Sequence, residues 1–296
     1  MATEPMKPLS TPRAHVPALG LVLFGLLAPQ TLAQSKGKGL PSFQPVPAAE
    51  ALDGNRLVQA SLLLDHDALV PGSTALLGLR LEIEPEWHVY WRNNGDTGAP
   101  MSFRFETSHP GIEIGAPRYP APSRYPHDIS LDYIYETEVV VLFPVTVGDS
   151  VPRGTATIDA QVSWLVCKDS CLPGRASVEL ETVVAPRNAP SSSRTTFEAW
   201  QKRIPAQLTP SNDVRMRWND STLVIEAPGA SAMTFFPYES DISPQPLEPV
   251  ADGTAKGAVL KVRFDTSEVG EVPVSGVLEV RRGDRAAFFE ILSPGR

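Results

Sequence analysis

From Ala75 to Glu84 the chain alternates with period two. Leu77, Leu79, Leu81 and Ile83 fall on one side, and Gly78, Arg80, Glu82 and Glu84 on the other. Such a segment buries one face in a core and wets the other, as a half-buried strand does. Shorter runs of the same kind begin at Asn55 and recur at Trp87–Trp91, Ser102–Phe105, Val139–Val147, Thr155–Val166 and Ala176–Val184. Pro-Gly, Gly-Asp and Asn-Gly signals punctuate them. Thirty prolines are spread along 296 residues, about twice the usual share, which favours strands and turns over helices. About seven strands at this spacing predict an antiparallel, immunoglobulin-like β-sandwich over residues 54–185.

Residues 186–203 read as a linker with one short helix near Thr196–Arg203, stopped by Pro205. Beyond it, strands at Val214–Trp218, Thr222–Ala227, Ala232–Phe236, Ala258–Phe264, Gly276–Arg281 and Ala286–Ile291 predict a second, smaller β domain over 204–296. Gly283-Asp284 is placed as the hairpin turn between the last two.

The amino end reads as an export signal over residues 1–33. A mildly basic segment with Lys7 and Arg13 precedes an apolar stretch, Ala18–Ala28, and a small-residue cleavage pattern ending at Ala33. The stretch is 11 residues long, against the roughly 20 needed to span a bilayer. Residues 34–53 read as a flexible leader. The expectation is a soluble, periplasmic mature protein that does not span the membrane, in a compartment where disulfides persist. Removing residues 1–33 takes away Glu4, Lys7 and Arg13, a net of one positive charge, and moves the net charge from −8 to −9. That balance argues against nucleic acid and anionic membrane surfaces as partners.

Chemistry concentrates at two positions. Cys167 and Cys171 are the only cysteines, in the run Trp164-Leu-Val-Cys-Lys-Asp-Ser-Cys-Leu-Pro-Gly174. They are placed where a strand meets a Pro-Gly turn. As a staple, a bridge over so short a loop contributes only about 2 kcal/mol in the chain-entropy model, against about 4.7 for a loop of 100 residues. As a redox pair, it needs one accessible sulfur and one resolving sulfur nearby, which a turn supplies. Lys168 favours a thiolate at Cys167 and Asp169 opposes it. As a metal site, two thiolates are half a tetrahedral set and suit Cu(I), but His66, His88, His109 and His127 have no close ligand spacing to them. Switch, staple and metal stay open on spacing alone.

Hydrolase, zincin and phosphate-loop signatures are absent. Asp128, Asp132, Glu136 and Glu138 form an acidic patch whose default reading is a solvated face. Trp87, Tyr90 and Trp91 keep sugar binding in view. Alternation sets Trp87, Val89 and Trp91 on one face, as core residues, and His88 and Tyr90 on the other.

Three runs carry a resemblance: Glu86-Trp-His-Val-Tyr-Trp-Arg-Asn-Asn-Gly-Asp-Thr-Gly98, Tyr133-Ile-Tyr-Glu136 before Phe143-Pro-Val-Thr-Val147, and Trp164–Gly174. Together they resemble the N-terminal periplasmic domain of the DsbD thiol:disulfide interchange family. The likeness is strongest to its ScsB (copper-sensitivity suppressor) branch, to which Phe235-Phe-Pro-Tyr238 is also similar. The resemblance covers roughly residues 50–295. It implies that Cys167 and Cys171 cycle between dithiol and disulfide, passing electrons from a membrane thiol transporter or thioredoxin-like donor to oxidised periplasmic thioredoxin-fold proteins. No cofactor and no metal are expected. The resemblance also implies a cap loop over the disulfide, near Arg124–Asp132, with Tyr125 or Tyr133 as its aromatic.

The residues expected around the pair are Tyr90, Trp91, His88, Tyr125, His127, Asp128, Tyr133, Trp164, Lys168 and Pro173, with Cys171 the more exposed sulfur. Two departures stand out. The best-known member has five residues between its cysteines, and this chain has three. The given sequence reaches Arg296 without the membrane segment or thioredoxin-like domain of the full proteins, so the expectation is a module served by a separate donor. The alternative is a non-catalytic binding or structural sandwich whose disulfide is a staple, with copper affinity as a variant.

Overall fold

Ten strands build the first half of the protein in this computed structural model, which describes residues 53–127, 129–239, 245–265 and 273–293. The export signal, nearly all of the expected leader, and Asp128 lie outside the described residues. The strands are β1 (Val58–Leu64), β2 (Thr74–Ile83), β3 (His88–Gly95), β4 (Ser102–Thr107), β5 (Ile112–Ile114), β6 (Ser123–His127), β7 (Ser130–Glu136), β8 (Glu138–Val147), β9 (Gly154–Cys167) and β10 (Cys171–Val184). One sheet runs β1-β2-β8-β5. The other runs β10-β9-β3-β7-β6, with β4 also paired to β9.

The alternation at 75–84 does what its pattern requires. Leu77, Leu79 and Leu81 are fully buried, and they pack with Val89, Trp91, Ile158, Val162 and Val166 of the facing sheet in one core. The result is an all-β, immunoglobulin-like sandwich of two antiparallel sheets.

Helix α1 (Arg194–Gln201) lays Phe197 against Val140 and Leu142 on the outer side of β8. The segment before it is tied down: Asp67 N–H donates to the Ala189 carbonyl, and Ser191 N–H to the Asp65 carbonyl.

The second half adds β11 (Ala206–Gln207), β12 (Arg215–Asn219), β13 (Thr222–Glu226), β14 (Ala232–Pro237), β15 (Thr254–Lys256), β16 (Val259–Arg263), β17 (Ser275–Arg282) and β18 (Arg285–Leu292). They form a sheet β11-β18-β17-β14-β15 stacked on a sheet β12-β13-β16. Leu223, Ile225, Leu260 and Val262 pack there against Phe235, Leu278 and Ile291. Gly283-Asp284 is the two-residue turn of the β17–β18 hairpin.

The two sandwiches meet through aromatic rings. Trp91 lies 6.0 Å from Tyr133, 6.3 Å from Phe236 and 5.7 Å from Tyr238 between ring centroids. The Asn93 side chain donates to the Pro237 carbonyl at 2.9 Å.

Two expectations are corrected by the pairing. The turn beside the cysteines is Lys168–Ser170, and Pro173-Gly174 is no turn but part of β10, paired with Leu165 and Trp164. β10 is an edge strand, where a proline costs no ladder bond. Gly174 leaves room for the Trp164 indole, which a Cβ would meet at 2.2 Å. Likewise the expected cap loop is a hairpin, β6–β7, whose last paired residues are His127 and Ser130.

Candidate functional site

The β9–β10 hairpin brings Cys167 and Cys171 opposite each other in register, and they form a disulfide. Cys167 is the last residue of β9 and Cys171 the first of β10, on the outer face of the sheet. Their exposure differs sharply. Cys167 is 2% exposed, packed with Tyr90 and Ile134 and bordered by Leu165, whereas Cys171 is exposed. A thiol from outside therefore meets the Cys171 sulfur first.

β3 supplies the next layer. Its register sets His88 directly beside Cys167, and alternation carries Tyr90 to the same face. The Tyr90 hydroxyl lies 3.8 Å from Cys171 Sγ and 3.4 Å from His88 Nε2. Burial pushes the Tyr90 phenol up, against an opposing hydrogen bond with Thr97, so the group stays a protonated donor. Burial pushes His88 down, partly offset by the Asp132 carboxylate, so the imidazole is held neutral. The Tyr125 ring rests on His88 with centroids 4.9 Å apart, and His127 follows at 6.5 Å from Tyr125.

The loop after β3 closes over Tyr90. Gly98 has φ +76° and stands so near the Tyr90 ring that a Cβ there would sit 2.1 Å from it, so only glycine fits in conformation and in space. Thr97 donates to both Asp132 oxygens, from its N–H at 2.8 Å and its hydroxyl at 2.5 Å. Leu131 N–H donates to Asp96 at 2.6 Å, and the Asn94 amide donates to the Thr97 carbonyl at 2.7 Å. These bonds hold the loop against β7.

Several expected site residues lie elsewhere. Trp91 and Tyr133 point to the opposite face, into the aromatic contact with Phe236, because odd positions of β3 and β7 face the core. Trp164 is also in the core, donating its indole N–H to the Gly54 carbonyl at 3.2 Å. Of the two aromatics weighed for the cap, Tyr125 is thus the one on the disulfide's face. Lys168 is turned to Glu86 at 2.8 Å on the surface, and this contact holds the Glu86 carboxyl below its usual range. Pro173 lies on the outer face next to Leu165.

Sequence reading missed Thr97, Gly98, Asp132 and Ile134. Asp132 is no solvated carboxylate but a buried one, 5% exposed. Its neighbour in the supposed acidic patch, Glu138, accepts from Arg80 at 2.9 Å and from the Trp200 indole at 3.0 Å. The Asn93-Asn94-Gly95-Asp96-Thr97-Gly98 run did hold a signal: turn-formers with side chains that bond their own backbone. Among the described residues, no group of three or more His, Cys, Asp and Glu is arranged to hold a metal ion.

His88 gives a pH prediction. Its folded pKa lies below the unfolded value of about 6.5. The unfolded chain therefore takes up the proton first as pH falls. The His88 contribution to stability is constant above about 6.5 and is lost as pH drops from there through the lower folded value. Denaturant unfolding between pH 7.5 and pH 5 reads this loss, and His88→Gln reduces it. An unchanged pH slope in the variant contradicts the assignment.

Residues 59–182 match the family described as thiol:disulfide interchange protein DsbD, N-terminal. The fold is similar to the N-terminal periplasmic domain of ScsB from Proteus mirabilis, at 14% identity and a TM-score of 0.54, covering 81% of this chain and 92% of that one. The DsbD N-terminal domain of Neisseria meningitidis, in the reduced form, also matches, at 14% identity and a TM-score of 0.30, covering 49% of this chain and 100% of that one. No curated protein matches the chain.

Proposed function

Since residues 59–182 match the DsbD N-terminal family, we propose that this protein is a periplasmic thiol–disulfide interchange module working through Cys167 and Cys171. One observation carries the reading: the bridge joins an exposed sulfur to a buried one, as an exchange pair requires. Residues 54–185 are the exchange domain in this proposal, and 204–296 a second β domain. Among the described residues, no helix is long and apolar enough to cross a membrane; in this reading the reducing equivalents come from a thiol donor that attacks the exposed sulfur.

A donor thiolate attacks Cys171 Sγ. The Cys167–Cys171 bond breaks, Cys167 leaves with the electron pair and is protonated, and a mixed disulfide forms. A second donor thiol attacks the donor sulfur, releasing the donor as a disulfide and leaving the protein as a dithiol. In the reverse sense the Cys171 thiolate attacks an oxidised client, and Cys167 resolves the mixed disulfide. The Tyr90 hydroxyl, kept protonated beside Cys171, donates to that thiolate when it forms. The Thr97–Asp132 bonds hold the loop that keeps Tyr90 in place.

The test is trapping. Cys167→Ser leaves Cys171 without its resolving partner, so exposure to periplasmic extract should yield disulfide-linked adducts that dithiothreitol dissolves. If Cys167→Ser forms no adduct with any protein, the interchange reading fails and the bridge is a staple.

A further inference from the structure

The outer face that carries the disulfide continues down β10, β9 and β4 as a ladder of matched rows. After the cysteines comes Pro173 beside Leu165. Next is Arg175 beside Ser163 and Ser102, and then Ser177 beside Gln161 and Arg104. The fourth row is Glu179, Asp159 and Glu106. Every one of these side chains except the half-buried Leu165 is exposed. Two adjoining troughs lie along the face, about 550 Å3 near Pro173 and Leu165 and about 680 Å3 near Arg104 and Gln161. They share Ser163 and Arg175. The face thus changes character with distance from the sulfur: apolar, then two rows with one arginine each, then three carboxylates, with Arg104 paired at the surface to Glu106 of the last row at 3.2 Å.

We propose that this ladder is a docking track for an extended segment of the redox partner, lying along β10 with its cysteine at Cys171. The inference rests on the interchange reading above. An extended chain rises about 3.3 Å per residue and turns alternate side chains to one side. Its downward side chains therefore meet successive rows. The fitting segment carries an apolar residue two positions from its cysteine, acidic residues at four and six, and a basic residue at eight. Charge complementarity selects this partner over a neutral or basic one.

Single-cysteine peptides test it. One set has cysteine first, leucine third, glutamate fifth and seventh, lysine ninth and serine elsewhere, made in both chain directions. The control set swaps glutamate and lysine. Each peptide thiolate attacks Cys171 Sγ and displaces Cys167, and the rate is divided by that of dithiothreitol with the same protein. In at least one direction, the matched peptide should react about tenfold faster than its swapped control at low salt, as a few surface charge pairs allow. The preference should fade at about 1 M salt and reverse in Arg104→Glu/Arg175→Glu. Equal rates for matched and swapped peptides, with normal dithiothreitol reduction, overturn the track and leave the interchange reading standing. A disulfide that neither dithiothreitol nor any peptide opens overturns both.

Discussion

In the reduced protein, iodoacetamide should label Cys171 about a hundredfold faster than Cys167, because a buried thiol reacts only through local opening. The basis is position in the hairpin. Cys171 opens β10 at the sheet edge and is exposed, while Cys167 closes β9 between His88 of β3 and its own partner strand. Tyr90, Ile134 and Leu165 pack around it. Reagent reaches Cys167 only when the end of the hairpin lifts away from β3. Peptide mapping after timed labelling reads both rates from one sample. Gly98→Ala sharpens the point: its Cβ displaces the Tyr90 ring, and the labelling of Cys167 should rise toward that of Cys171. Equal rates in the unaltered protein would remove the division of labour between an attacked and a resolving sulfur.

Trp91→Ala should lower the unfolding free energy by about 3–5 kcal/mol, the usual cost of deleting a buried tryptophan. Trp91 is 1% exposed and touches both sandwiches, through Tyr133 on one side and Phe236 and Tyr238 on the other. Its indole N–H has no hydrogen-bond partner among the described residues, so the loss is one of packing. Urea unfolding measures it. The disulfide's reactivity in the folded variant should change little, because Trp91 faces away from it. By contrast, Ile129→Ser, at 97% exposure on the hairpin tip, should stay within about 0.5 kcal/mol. A Trp91→Ala loss as small as that would mean the two sandwiches do not depend on each other through this ring.

Much of the architecture is legible in the chain because burial on one face writes a period of two. The run at 75–84 became β2, and the six strands read in the second half have counterparts in β12, β13, β14, β16, β17 and β18. Short or edge strands are less legible. β5 has three residues and β6 contains Pro126, so neither holds enough alternation to be seen. Pro173-Gly174 imitates a turn because a proline at a sheet edge and a glycine under an indole have the same letters as a reverse turn. At the site, alternation in β3 separated His88 and Tyr90 from Trp91, and the structure keeps that separation. Asp132 was illegible for a different reason. Its partners, the Thr97 amide and hydroxyl, lie 35 residues away, and no local pattern marks a carboxylate as the anchor of a distant loop.

The most direct measurement is the reduction potential of the Cys167–Cys171 pair, from equilibration in glutathione buffers and quantification of the dithiol and disulfide forms. The account predicts a value in the range of exchange proteins, between about −270 and −120 mV. A potential below about −300 mV, where structural disulfides resist the glutathione pool, would contradict it and make the bridge a staple of the β9–β10 hairpin.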